Sequence, residues 1–178
     1  KKGLPVDFVS THPYPNSYPL YSYGRPCYKD ENGTYDAFVW LNEAIHATPY
    51  RDAEIHITEW NSSPNCRDLV HDTAFMAPFI IQNHLKTIGM VDTIGFWTFT
   101  DVFEEESLGQ SVFHGGFGLC NVQGLKKPSY HGFWFLSRLG NEILEQGDHY
   151  IVTRKEDRVQ VLLWNYCHYC DTYANGDP

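Results

Sequence analysis

The chain has 178 residues, 42% of them hydrophobic and 20% charged, with 13 Lys and Arg against 22 Asp and Glu for a formal charge of −9. Such a chain buries a substantial core and holds one domain, or one and a fraction, which argues against a disordered chain. The acidic balance and the lack of a Lys/Arg block argue against nucleic acid and anionic membranes, whose phosphates need a cationic face. No apolar run approaches the ~20 residues of a bilayer span, and the basic-then-apolar pattern of a signal peptide is absent from the opening residues.

In chain order, a short apolar run at 6–9 reads as a strand opening into a Pro- and Tyr-rich loop at 11–26. Ala37, Leu41, Ala44 and Ile45 recur at helical spacing and predict a helix over 36–48. The unit repeats: a β-branched strand at 54–60, an Asn/Ser/Pro loop at 61–65, and a helix over 68–88 with Pro78 as its kink. A third strand at 92–99 leads into the longest loop, 100–127. Pro128 then opens a helix whose apolar members include Phe133, Leu136, Gly140 and Ile143. Three βα units in series imply an α/β fold, a parallel sheet with helices outside. After Gly147 the grammar becomes antiparallel, with strands at 150–153 and 158–164 around a charged turn at 154–157.

Five cysteines, Cys27, Cys66, Cys120, Cys167 and Cys170, form an odd, irregular set in a chain long enough not to need staples. They read as reduced thiols of an intracellular, cytoplasmic protein. Cys167 and Cys170 have the spacing of half a zinc site, but tetrahedral closure needs four ligands and no second pair follows. The histidines show no clustered ligand spacing either, so no metal or other cofactor is expected.

In parallel βα architectures reactive groups sit in the loops after the strand C-termini. Glu59 stands out there, since it ends an apolar strand and is followed by Trp60 and Asn61. Strand parity puts it on the face of Ile55 and Ile57, toward a packed interior or pocket floor. A functional carboxylate and an ion-paired structural one both fit that position.

Four ordered motifs carry a family resemblance. They are Asp7-Phe-Val-Ser-Thr-His12-Pro-Tyr14-Pro, then Ile57-Thr-Glu59-Trp-Asn-Ser62, then the run from Asp92 through Phe96-Trp97-Thr98 to Glu105, and His114-Gly-Gly-Phe-Gly-Leu119. Together with Lys127-Pro-Ser-Tyr130-His they resemble glycoside hydrolase family 39, which contains β-xylosidases and α-L-iduronidases. The resemblance implies a retaining glycosidase on a (β/α)8 barrel, about 250 residues when complete, with an appended β-sandwich. Residues 1–147 then correspond to the last three βα units of a partial TIM barrel and 148–178 to the truncated start of an all-β sandwich.

By the same resemblance Glu59 matches the catalytic nucleophile. His12 and Tyr14 match residues that contact the sugar and the nucleophile, Trp97 the platform on which a sugar ring stacks, and Glu104 or Glu105 a carboxylate that holds sugar hydroxyls. Absent the match, a strand Trp reads as core and a Pro/Tyr segment as loop packing. The family's acid/base is a Glu in an Asn-Glu pair after a strand; the pairs Asn42-Glu43 and Asn141-Glu142 fall in predicted helices, so the acid/base is expected outside this chain. The implied substrate is an oligosaccharide, xylo-oligosaccharide ahead of iduronide because residues 87–125 contain no Lys or Arg. A non-catalytic carbohydrate-binding or structural remnant is the rival from another class. Unpaired barrel edges predict pairing with the missing barrel half or self-association.

Overall fold

The computed structural model describes residues 3–16, 30–103, 105 and 109–168. Its elements run β1 (Phe8–Thr11), α1 (Gly33–His46), β2 (Glu54–Trp60), α2 (Met76–Lys86), β3 (Thr93–Phe96), α3 (Pro128–Leu136), β4 (Glu142–Gly147), β5 (Tyr150–Lys155) and β6 (Arg158–Leu163). The first three strands form a parallel sheet in the order β1-β2-β3, and the last three an antiparallel sheet in chain order. The expected alternation of βα units followed by antiparallel β structure is present.

Helix packing follows the apolar period with local corrections. On α1 the buried face is Phe38, Leu41 and Ile45, and Ala44 faces solvent. Phe38 takes the position because a large ring fills the space over the sheet that a methyl would leave open. The segment expected as one kinked helix over 68–88 is two pieces. A single 3-10 turn, Leu69–Asp72, is capped by the Asp68 carboxylate accepting from the Val70 N–H, and α2 starts only at Met76. Pro78 therefore lies in the first turn of α2, where its missing N–H has no intrahelical partner to lose, and it kinks nothing.

The helix opened by Pro128 stops at Leu136, and residues 142–147, the end of the expected helix and of the expected first domain, are strand β4 instead. Gly140 marks the change. Its N–H donates to Thr153 Oγ1 at 2.9 Å, and a Cβ there would lie 2.0 Å from the Arg154 carbonyl oxygen, so only glycine allows the chain to pass this close to β5. The antiparallel sheet thus begins before residue 148. The turn between β5 and β6 is also tighter than expected: Arg154 and Lys155 continue β5, and Glu156, at φ 57°, makes the reversal.

One core joins both sheets. Phe38, Ile57, Trp60, Phe79 and Ile80 cluster with Ile151, Trp164 and Tyr166 from the antiparallel part. Polar ties reinforce the junction, with Trp164 Nε1 donating to Gln82 Oε1 at 2.6 Å and Gln146 Nε2 to the Leu85 carbonyl at 3.3 Å. On β2 one face is buried at Ile55 and Ile57 while Thr58 is exposed. Phe8, on β1, stays 56% exposed with its ring edge-on to His56, and among the described residues β1 and β3 each pair with β2 alone.

Candidate active site

The three parallel strands run the same way: β2 and β3 end level, Trp60 pairing with Phe96, and β1 ends three residues earlier on β2, where Thr11 pairs with Ile57. Side chains that follow those ends therefore meet over one edge of the sheet. Strand β2 makes the meeting specific. Between Ile57 and Trp60 it advances three residues while β3 advances two, from Ile94 to Phe96, which is a bulge. Strict alternation predicted Glu59 on the face of Ile55 and Ile57. The extra residue instead returns Trp60 to that face, where it is 1% exposed and stacks on Phe79 at 4.9 Å. Glu59 is left at the strand end beside the residues that follow β1.

His12 is the first residue after β1, and its Nδ1 lies 2.6 Å from Glu59 Oε2. Its side chain is 52% exposed and that of Glu59 17%, so the pair is open to solvent on one side. His12 Nε2 lies 3.0 Å from Thr58 Oγ1. Tyr14 approaches Glu59 as well. Its pKa is pushed well above the ordinary phenol value, first by burial, then by the charges of Glu59 and Glu105, and last by a hydrogen bond to Glu59. All three causes favour the neutral phenol, so Tyr14 is a donor to the carboxylate and never its competitor for charge. Glu59 thus accepts from two rings of different chemistry.

Trp97 follows β3. Its N–H donates to the Trp60 carbonyl at 2.9 Å, and its half-buried indole meets Phe103 edge-on at 4.9 Å. Of the two expected acidic residues in the following loop, Glu105 is exposed and close enough for its charge to act on Tyr14. Glu104 lies outside the described residues. The structure therefore brings Glu59, His12, Tyr14, Trp97 and Glu105 to the same end of the sheet.

Sequence reasoning missed what holds that end in place. Asn61, fully buried, donates from Nδ2 to the carbonyls of Trp97 at 2.6 Å and Phe117 at 3.2 Å, and its Oδ1 accepts from the Ser62 N–H at 2.7 Å. One amide thereby ties the ends of β2 and β3 to the long loop. Beside it the Lys127 ammonium, 0% exposed, meets Asp72 Oδ1 at 2.5 Å, Asp101 Oδ2 at 3.2 Å and the Gly116 carbonyl at 2.7 Å. The two carboxylates are spent on backbone as well: Gly115 N–H donates to Asp72 at 2.6 Å and Gly118 N–H to Asp101 at 2.6 Å. A Cβ on Gly116 would meet the Asp101 carboxyl at 2.4 Å, so this glycine is a packing requirement. His71 completes the cluster with Nδ1 at 3.0 Å from the Gly115 carbonyl, and burial pushes its pKa down, which keeps the ring neutral. The signal available in the sequence was the lysine pair Lys126 and Lys127, the first cations after an acidic loop and just before Pro128, read only as a helix start.

A carboxylate at a parallel-strand end, held by an imidazole and a phenol and flanked by an indole, can attack or stabilise an electron-poor carbon while an apolar ring face rests on the indole. Comparison with known proteins gives that chemistry its family. The sequence model described as glycosyl hydrolases family 39 matches residues 1–175. A β-xylosidase of Geobacillus stearothermophilus is 36% identical over 171 residues, covering 93% of this chain and 34% of that protein. One from Caldicellulosiruptor saccharolyticus is 35% identical over 153 residues, covering 82% of this chain and 30% of that protein. Among solved structures, a GH39 enzyme from Xanthomonas axonopodis pv. citri superposes with a TM-score of 0.84 at 30% identity, covering 93% of this chain and 34% of the other. A monomeric β-xylosidase from Caulobacter crescentus CB15 does so with a TM-score of 0.84 at 29% identity, covering 94% and 35%. The chain belongs to glycosyl hydrolases family 39. It spans about a third of the length of the curated relatives it matches.

Proposed function

We propose that the protein containing this chain is a retaining xylan 1,4-β-xylosidase that releases xylose from the non-reducing ends of xylo-oligosaccharides, with Glu59 as its nucleophile. The chain supplies the last three βα units of a (β/α)8 barrel and the first strands of a β-sandwich, divided between α3 and β4 rather than after Gly147. The observation that carries the reading is Glu59 at the end of β2, solvent-accessible and held at 2.6 Å by His12, in a chain of this family.

Glu59 attacks the anomeric carbon while a carboxylic acid from outside this chain protonates the departing oxygen; retention requires the two carboxyl groups about 5–5.5 Å apart. His12 and Tyr14 hold the carboxylate so that one oxygen faces the sugar. As the glycosyl ester forms, the negative charge of Glu59 is used in the new C–O bond and the protonated alcohol leaves; water in the vacated place then attacks the anomeric carbon, giving its proton to the second carboxyl, and the C–O bond to Glu59 breaks to restore its carboxylate. Trp97 offers its flat face to the sugar ring, and Glu105, with Glu104 as the alternative, accepts from sugar hydroxyls. Among the described residues, the free thiols Cys120 and Cys167 support a reducing, cytoplasmic setting. The single pairing of β1 and β3 and the exposed Phe8 support burial of this face by the rest of the barrel.

An iduronidase, the other activity weighed, needs a cation for the substrate carboxylate. Residues 87–125 hold none; of the two lysines just beyond, Lys127 is buried and committed to Asp72 and Asp101, and Lys126 lies over the Tyr130 ring at 4.5 Å. That favours a neutral pentose. Treatment of the complete enzyme with a slow 2-fluoro-xyloside, followed by peptide mass mapping, should place the label on Glu59. A label on another carboxylate, or comparable kcat/KM for aryl xylosides and aryl iduronides, would overturn the assignment, and no label at all would favour a non-catalytic remnant.

A further inference from the structure

We propose that Thr58 is a positioning residue of the site: its hydroxyl pins the free nitrogen of His12 so that the imidazole Nδ1–H stays aimed at Glu59. The inference rests on the reading of Glu59 as nucleophile, and the role it assigns to Thr58 acts through His12.

The bulge is the reason this contact exists. Consecutive strand residues point to opposite faces, so in a regular β2 the side chains of Thr58 and Glu59 would turn to opposite faces of the sheet and could not both reach one ring. The register slip between Ile57 and Trp60 removes that alternation. Thr58 Oγ1 and Glu59 Oε2 both reach one ring, at 3.0 Å from Nε2 and 2.6 Å from Nδ1. Bulges beside reactive sites commonly re-aim a side chain in this way.

The chemistry of the three groups fits the geometry. An ionised carboxylate only accepts, so Nδ1 must carry the hydrogen, and the Nε2 of the neutral ring is then an acceptor. A threonine hydroxyl can donate to that lone pair, and by rotating it can accept from Nε2–H when the ring is protonated. It therefore serves either charge state of His12 without moving the ring. The need for a second anchor follows from exposure: His12 is half in solvent, and a ring held at Nδ1 alone can swing its hydrogen away from Glu59 into water. Held at both nitrogens, it has one orientation. Orienting an imidazole through its other nitrogen is a general device of reactive sites.

The test uses the full-length enzyme labelled with 15N-histidine, with Thr58→Val as the near-isosteric loss of the hydroxyl and Thr58→Ser as its restoration. In the parent and in Thr58→Ser, the His12 Nδ1–H should be visible by NMR and slow to exchange. In Thr58→Val it should broaden or vanish while the melting temperature is kept. A second arm measures kcat and KM on 2,4-dinitrophenyl β-xyloside, whose leaving group needs no acid and which therefore reports on the nucleophile. Thr58→Val should lower kcat about tenfold with KM nearly unchanged, and should cost nothing further in a His12→Ala background, the non-additivity expected of residues acting as one unit. An unchanged Nδ1–H signal in Thr58→Val, or an additive double mutant, would overturn the proposal. The NMR arm involves no turnover, so it reads Thr58 even if Glu59 fails the labelling experiment, and the two ideas can fail separately.

Discussion

Two carboxylate clusters sit at the same end of the parallel sheet and are built in opposite ways. In one, His12 at 52% exposure holds Glu59 at 17%. In the other, Lys127 and Asp101 are both at 0% and Asp72 at 8%. The first keeps a carboxylate oxygen within reach of solvent and of a ligand. The second surrounds its carboxylates with backbone N–H donors and a lysine, leaving nothing for a ligand to contact. Charge at the first is available to chemistry, whereas charge at the second fixes the path of the loop that carries Trp97 and Glu105.

That contrast can be broken most directly at Glu59. Replacement by Gln should lower kcat/KM of the complete enzyme by at least about 10⁴-fold, in the range seen when a covalent nucleophile is lost, while a denaturation curve shifts little. Loss of stability comparable to the loss of activity would make Glu59 a structural residue. The converse variant is Lys127→Met, which strands two buried carboxylates and should cost about 3–5 kcal/mol of unfolding free energy. Urea denaturation measures it, and a cost below about 1 kcal/mol would mean that water reaches the cluster.

The buried histidines sharpen the comparison through pH. The His84 ring lies edge-on to Trp60 and Phe133, and burial pushes its pKa down to about 4. A base whose folded pKa lies below its unfolded value of ~6.5 leaves the unfolded chain binding more protons between those limits. Stability is therefore full above about pH 6.5, falls as pH drops toward 4, and stops falling below it, losing about 3 kcal/mol in all. His71, shifted in the same direction, adds to the loss. Thermal melts from pH 7 to 4 should show this slope, and His84→Phe should flatten it. The smallest effect belongs to the pair Arg154 and Glu142, 3.2 Å apart and about half exposed on the antiparallel sheet. Arg154→Met should change stability by less than about 1 kcal/mol, since such pairs gain little over their hydration.

What the sequence reveals of this arrangement depends on the range of the interactions. Strand order, helix faces and the clustering of His12, Tyr14, Glu59 and Trp97 follow from short-range patterns, because residues after parallel strand ends must meet. The bulge in β2 is invisible to such patterns: Glu54 to Trp60 reads as a regular strand, and only pairing with β3 exposes the added residue. The Lys127 cluster is hidden for a similar reason, as its carboxylates lie 26 and 55 positions earlier in the chain. Ile143 misled because a single apolar residue satisfies helical and strand periods equally well. Gly140 held the correction, since a helix interior tolerates glycine poorly while a backbone crossing requires it.

The core shared by the two sheets has a consequence for anyone recombining this protein with its relatives. Ile151, Trp164 and Tyr166 pack into the same cluster as Phe79 and Ile80 of α2, and Trp164 and Gln146 donate to Gln82 and Leu85 on that helix. Phe79 in turn carries Trp60, next to Glu59. A chimera joined between Leu136 and Glu142, the obvious seam, would cut no element and yet would exchange half of the floor beneath α2. Modules spliced there must be co-selected with the helix they cover, and a mismatch at Trp164 should reach Glu59 through two stacked rings.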